Sequence, residues 1–121
     1  MLVSIMEHHS NLLPWQMVCR QTGATLKFLE CDQTGFLSDE TLENAITDKT
    51  RLVAIAQVSN VLGRTAPIEK IVKLARKHGA VVVMDAAQSA PHMPINVKDL
   101  DVDFMAFSGH KLMGPMGIGV L

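Results

Sequence analysis

Short apolar runs alternate with amphipathic segments along this chain. Apolar runs of about four to eight residues predict strands, and apolar residues three or four positions apart predict helices. The predicted strands are Leu2–Ile5, Thr25–Leu29, Arg51–Val58, Ala80–Met84, Phe104–Phe107 and a closing strand, Gly117–Leu121. The predicted helices are Leu12–Arg20, Ser38–Ile46 and a segment that begins at Pro67 and ends before Gly79.

Residues at the helix ends support these predictions. Asn11 is a candidate N-cap for the first helix, and Gly23 stops that helix. Ser38 is a candidate N-cap for the second helix, with acidic residues in its first turn. Pro67 suits a first helical position because its missing N–H would be unpaired there anyway.

The two central strands are apolar at successive positions. Arg51–Val58 reads RLVAIAQV, and Ala80–Met84 reads AVVVM. Such runs are typical of parallel strands that are covered on both faces. The alternation of strands and helices therefore predicts an α/β fold, a mostly parallel sheet sandwiched by helices.

Composition restricts the function classes. The chain has 121 residues, of which 48% are apolar and 19% charged, and its formal net charge is −1. This balance gives no electrostatic reason to expect a nucleic-acid or membrane partner. No apolar run reaches the about 18–20 residues that cross a bilayer, and no signal peptide is evident, so we expect a cytoplasmic protein. Cys19 and Cys31 lack a CxxC spacing, which favours two thiols in a reducing compartment over a disulfide.

Polar clusters follow four of the predicted strands. They are Glu7-His8-His9, Ser59-Asn60, Asp85-Ala86-Ala87-Gln88 and Ser108-Gly109-His110-Lys111. Ligands of open α/β sheets bind beyond the carboxyl ends of the strands. We therefore expect these clusters to form one site at one edge of the sheet.

Two residues in these clusters suggest specific chemistry. Asp85 ends an apolar run, so it is either a turn or cap residue or a carboxylate paired with a cation, such as a protonated pyridine nitrogen. Lys111 is framed by Ser108-Gly109-His110 and Gly114-Pro115. Lysines are most often solvated at the surface, but a partly buried lysine has a lowered pKa, and its neutral amine forms Schiff bases.

Other chemistries fit the sequence poorly. Adjacent His8 and His9 do not easily aim at one metal ion, and no third ligand has a suitable spacing, so no metal site is predicted. The glycines at 114, 117 and 119 do not match GxGxxG, and GxxxxGK[ST] is absent, which disfavours a nucleotide-binding module. Ser89 and Ser108 lack a GxSxG setting, which disfavours a serine hydrolase.

The order of these clusters is that of a known family. The chain resembles the aminotransferase class V family along its whole length, most closely the Suf-type cysteine desulfurases, which overlap in kind with selenocysteine lyases. The motifs that carry the resemblance are Met6-Glu7-His8-His9-Ser10-Asn11, Pro14-Trp15-Gln16, Val58-Ser59-Asn60-Val61-Leu62-Gly63, Asp85-Ala86-Ala87-Gln88-Ser89-Ala90-Pro91-His92 and Phe107-Ser108-Gly109-His110-Lys111.

The resemblance implies a fold type I enzyme that uses pyridoxal 5'-phosphate (PLP). By its position in the motifs, Lys111 matches the lysine that binds PLP covalently and moves protons, and His8 matches the histidine that stacks on the pyridine ring. Asp85 matches the carboxylate on the ring nitrogen. The remaining matches are Gln88 with the amide at the phenolic oxygen, Asn60 with the asparagine near that oxygen and the substrate carboxylate, and Ser108 and His110 with phosphate ligands.

The implied reaction converts L-cysteine to L-alanine and leaves sulfur as an enzyme persulfide for iron–sulfur cluster assembly. The resemblance also implies a homodimer and a sulfur-acceptor protein. We expect residues 1–121 to be part of the PLP-binding large domain. The family's N-terminal segment, its C-terminal small domain, its nucleophilic cysteine and its substrate-binding arginine would all lie outside them.

Three alternatives remain open at this point. The same lysine site would serve a selenocysteine lyase acting on L-selenocysteine, or another class V lyase or aminotransferase. A truncated domain without catalytic activity is the second alternative, and a nucleotide-binding α/β module is the third. Ala86 stands where these desulfurases often have glycine, which changes none of the implied roles.

Overall fold

A computed structural model describes all 121 residues and contains one six-stranded sheet. Its strands, in chain order, are β1 (Leu2–Ser4), β2 (Lys27–Leu29), β3 (Leu52–Ala56), β4 (Val81–Asp85), β5 (Phe104–Ser108) and β6 (Gly119–Val120). The strands are arranged β2-β1-β3-β4-β5-β6, and every pair is parallel except β5 with β6. The predicted mostly parallel α/β sheet is confirmed.

Helices connect the parallel strands. They are α1 (Leu13–Thr22), α2 (Asp39–Ala45), α3 (Ile68–Lys77) and the single turn α4 (Val97–Leu100). Two 3-10 turns, His9–Asn11 and Gly109–Leu112, follow β1 and β5. None of the four helices is long and apolar enough to cross a membrane.

The alternation of side chains along the central strands divides the core between the two faces of the sheet. Leu2, Val53, Ile55, Val82 and Met84 lie on one face and pack with residues of α2 and α3, including Leu42 and Ile71. Val3, Ala54 and Val83 lie on the other face, against Leu12 and Trp15 of the α1 region. Helices therefore cover the sheet on both sides, as the two-sided apolar strands predicted.

Several predicted helix ends are confirmed. The Ser38 side chain accepts a hydrogen bond from the Thr41 N–H, as an N-cap does. Gly23 ends α1 with a φ of 74°, a conformation that glycine adopts without steric cost. The third helix is also confirmed and its apolar side is buried, but Pro67 lies one residue before α3 and not at its first helical position.

Other predictions were wrong in detail. Asn11 does not cap α1, because its side chain is buried and bonds to Glu7 and Trp15 instead. The short helix α4 was not predicted, since four residues are too few to show a helical period. The apolar run after Arg51 pairs as a strand only as far as Ala56, and Val58 forms an isolated bridge with Thr65.

The strand order creates a crevice between β1 and β3. The chain leaves β1 toward β2 on one side and later returns to β3 on the other side of β1. Such a reversal is the usual ligand position in open α/β sheets, because connections diverge there and leave space above the strand ends.

Candidate active site

A cavity of about 330 Å³ lies at the carboxyl ends of β1, β3, β4 and β5. Its volume is at the lower end of the range that is typical of small-molecule sites. All seven site residues expected from the sequence line it, namely His8, Asn60, Asp85, Gln88, Ser108, His110 and Lys111, together with Ser10, Ala56, Val58 and Ala87. The structure thus brings together residues that are up to 103 positions apart in the chain (111 − 8).

Lys111 lies on the 3-10 turn that follows β5. The turn is held from both sides, because the Gly109 N–H donates to the Ile118 carbonyl at 2.8 Å and the Gly114 N–H donates to the Gly109 carbonyl at 2.9 Å. A Cβ at Gly114 would lie 2.9 Å from the Gly109 oxygen, so this approach requires glycine. Lys111 itself is half-buried and has no carboxylate within ion-pair distance.

Asp85 is the last residue of β4, and its carboxylate both bonds within a turn and lines the cavity. Its Oδ1 accepts a hydrogen bond from the Ala87 N–H at 2.8 Å, which stabilises the turn after the strand. The carboxylate also lines the cavity and is half-buried. The two alternatives for Asp85, turn residue and site residue, are therefore compatible in this structure.

His8 caps the first 3-10 turn. Its Nδ1 accepts from the Ser10 N–H at 3.2 Å and lies 2.8 Å from the Ser10 hydroxyl. Because the backbone N–H can only donate, Nδ1 is the acceptor, and the neutral ring carries its proton on Nε2. Ser10 thus orients the ring that faces the cavity, a role that no motif had suggested.

A buried network behind the cavity was also missed. Glu7 as a residue is 9% exposed, and its carboxylate accepts hydrogen bonds from Ser4, Asn11 and Ala56. Burial raises the pKa of Glu7 above its ordinary value of 4.5, although the hydrogen bonds from Ser4, Ala56 and Asn11 oppose that rise. The only signal in the sequence was the spacing of four positions between Glu7 and Asn11, and this spacing is too common to indicate a network.

Neither cysteine lies in the cavity. Cys19 is buried on α1, with its Sγ 3.5 Å from the Met1 Sδ. Cys31 is half-buried and lines a separate hollow of about 500 Å³, which shares His8 and Asn60 with the cavity but not Lys111 or Asp85. Both thiols are free, as expected from the sequence.

Comparison with known proteins decides the family. The sequence profile described as Aminotransferase class-V matches residues 1–121, the whole chain. The chain belongs to the aminotransferase class V family. This confirms the resemblance on which the site residues were chosen.

The chain is similar to named class V proteins and to solved structures of this family. The chain is 52% identical over 120 residues to a probable cysteine desulfurase of Halalkalibacterium halodurans, covering 99% of this chain and 30% of the relative. It matches the crystal structure of the cysteine desulfurase CsdA from Escherichia coli with a TM-score of 0.92 and 45% identity, over 98% of this chain and 30% of that one. The structure of an apo cysteine desulfurase from Thermococcus onnurineus matches with a TM-score of 0.89 and 48% identity, again over 98% of this chain and 30% of that one.

The chain therefore spans about a third of the length of these class V relatives. The fold of the shared part is the same, as the TM-scores show. The four strand ends that line the cavity all lie within that shared part.

Proposed function

We propose that residues 1–121 form the PLP-binding part of a cysteine desulfurase, with Lys111 as the residue that carries the cofactor. The observation that carries this proposal is the common cavity of His8, Asn60, Asp85, Gln88, Ser108, His110 and Lys111. A class V lysine site requires an amine, an anion, a ring-stacking group and phosphate donors in one place, and this set contains each of them.

The chemistry of the lining side chains fits PLP. The Lys111 amine has no ion-pair partner that would hold it away from an aldehyde. One Asp85 oxygen bonds to the Ala87 N–H, and the other is free to accept from a protonated ring nitrogen. The Ser108 hydroxyl and the His110 imidazole are suitable donors to a phosphate, and the Gln88 amide is a suitable donor to a phenolic oxygen.

Bound PLP would supply an electron sink for the α-carbon of an amino acid. In that setting the Asp85 charge favours the protonated ring nitrogen, since opposite charges stabilise each other at short range. The His8 imidazole, whose orientation is set by Ser10, would stack on the ring. Lys111 Nζ would accept and return the proton that leaves the α-carbon, a general acid–base role.

The proposed substrate is L-cysteine, and the products are L-alanine and sulfur. Transfer of the substrate sulfur requires a thiolate nucleophile, which becomes a persulfide when the carbon–sulfur bond breaks. Cys19 and Cys31 lie outside the Lys111 cavity. We therefore propose that the nucleophile belongs to a part of the protein beyond residues 1–121, as do the N-terminal segment and the small domain.

The wider cellular role stays a prediction from the family resemblance. It comprises delivery of sulfur to an acceptor protein for iron–sulfur cluster assembly, a homodimer, and a cytoplasmic location. Val61 and Met116 are 81% and 84% exposed. Such exposed apolar side chains support a contact with a further protein surface that covers them.

Borohydride trapping tests the proposal. The chain is incubated with PLP, reduced with borohydride, digested and mapped by mass spectrometry. We expect a pyridoxyl group on Lys111 and its loss in Lys111→Ala. Lys73 on the solvated side of α3 is the matched control, because it is exposed and distant in sequence from the cavity residues. Labelling of Lys73 in preference to Lys111 would overturn the proposal.

A further inference from the structure

Glu7 occupies an unusual position behind the cavity. Strand β1 ends at Ser4, whereas β3 continues to Ala56, so the Ala56 N–H has no β1 residue opposite it. Both Glu7 oxygens accept from this N–H, at 3.0 and 2.9 Å. The carboxylate thus continues the hydrogen-bond ladder at the point where β1 turns away from the sheet.

Every other contact of Glu7 also donates to it. The Ser4 hydroxyl donates to Oε1 at 2.6 Å and itself accepts from the Met6 N–H at 3.2 Å. Trp15 Nε1–H can only donate, so its 3.0 Å bond requires Asn11 Oδ1 to face Trp15. The Asn11 amide nitrogen then faces Glu7 and donates to Oε2 at 2.7 Å.

The network therefore suits an ionised carboxylate. A buried charge is tolerated when donors satisfy it, and a neutral amide in its place would turn a donor toward another donor. The charge of Asp85 adds slightly to the rise that burial causes in the pKa of Glu7.

The network also connects the parts of the site. Asn11 belongs to the 3-10 turn that His8 caps, and Ala56 is the register partner of Asp85 across β3 and β4. Glu7 bonds to both Asn11 and Ala56, and it thereby connects the His8 turn to the end of β3, beside Asp85. If the His8 turn or the end of β3 moved, His8 and Asp85 would move apart across the cavity.

We propose that Glu7 is a positioning residue, whose buried carboxylate ties the His8 turn to the end of β3 and so sets His8 and Asp85 in register for the cofactor. The inference rests on the proposed function only in the identity of the cofactor. It assigns Glu7 no contact with substrate or PLP.

Amide hydrogen exchange of the PLP-free chain, measured by NMR, tests the network directly. In Glu7→Gln the amide nitrogen takes one of the two oxygen positions, and the Ala56 N–H lies within 3.0 Å of both, so a donor faces a donor in either orientation. The Ala56 N–H and the Asn11 N–H should therefore exchange about tenfold faster, the factor that corresponds to one bond to a charged group. The amides of β4 should keep their protection. PLP affinity, followed by absorbance, should fall by a similar factor.

A donor–acceptor exchange gives the decisive comparison. Asn11→Asp alone should weaken the network as well, because two carboxylates then face each other. The double variant Glu7→Gln with Asn11→Asp restores a donor opposite an acceptor and keeps the Trp15 bond, so it should recover most of the protection. Glu43→Gln, an exposed glutamate on α2, is the control and should change neither readout.

Two outcomes would overturn the inference. One is unchanged exchange at Ala56 and Asn11 in Glu7→Gln. The other is loss of protection throughout the sheet in both the single and the double variants, which would make Glu7 a general folding residue. A chain that binds no PLP before any substitution would contradict the proposed function, but the exchange data would still decide the role of Glu7.

Discussion

The Arg76 guanidinium on α3 donates a hydrogen bond at 2.8 Å to the carboxylate of Asp103, the residue before β5. The same Asp103 oxygen accepts from the Val82 N–H of β4 at 2.7 Å. One carboxylate, at the point where β5 begins, therefore joins α3 to β4, the strand that carries Asp85. The Arg76 hydrogen bond lowers the pKa of Asp103 below its ordinary value of 3.8.

We expect Asp103→Asn to lower the free energy of unfolding by about 1 kcal/mol at neutral pH, a modest value because the side chains of Arg76 and Asp103 are 38% and 29% exposed. A carboxyl whose pKa is lower in the folded state than in the unfolded state stabilises the protein at pH values above its unfolded-state pKa. This contribution is lost as the pH falls through the folded-state pKa. The difference between wild type and variant should thus shrink below about pH 4. Urea unfolding at several pH values measures it, with Glu43→Gln as the control, and a difference that grows in acid would contradict the assignment.

Asp85→Asn separates the turn bond of that side chain from its proposed role at the cofactor ring nitrogen. The amide oxygen still accepts from the Ala87 N–H, so the turn should persist and PLP should still bind. The charge that we propose for the ring nitrogen is lost, and turnover in the proposed full-length desulfurase should fall more than about tenfold. Steady-state assays and the absorption spectrum of the bound cofactor provide the measurement. Activity within about twofold of wild type would mean that Asp85 acts only in the turn.

Gly114→Ala should disturb the Lys111 turn. The new methyl group would lie 2.9 Å from the Gly109 carbonyl oxygen, and relief of this overlap should cost about 1–3 kcal/mol. We expect a lower yield of pyridoxyl-Lys111 after borohydride reduction than in the unchanged chain. Met116→Ala is the matched control in the same segment, because Met116 is 84% exposed. Equal labelling of the two variants would show that the turn tolerates the methyl group.

The 121-residue chain should release no alanine or sulfide from L-cysteine when PLP is added. Sulfur removal needs a thiolate directed at the substrate, but Cys19 is buried on α1 and Cys31 lines a different hollow from Lys111. An assay of both products measures this. Steady turnover that disappears in Cys19→Ser or Cys31→Ser would identify that cysteine as the nucleophile and refute the expectation.

Much of the fold and of the candidate site could be predicted from local patterns. Apolar runs located all six strands, Ser38 and the acidic residues after it located the start of α2, and Gly23 located the end of α1. The site residues were predictable because carboxyl ends of parallel strands share an edge, so His8, Asp85 and Lys111 converge whenever the sheet is parallel. These features follow from neighbours in the sequence and from the geometry that all parallel sheets share.

The remaining features depend on contacts between distant residues. The sequence suggested Asn11 as a helix cap, but burial beside Glu7 and Trp15 gave its amide better partners. The Glu7–Ala56 bond joins residues 49 positions apart and exists only because β1 ends before β3 does. A hydrogen-bonding side chain takes whichever partner the packed chain brings within about 3 Å, and no local pattern encodes that choice.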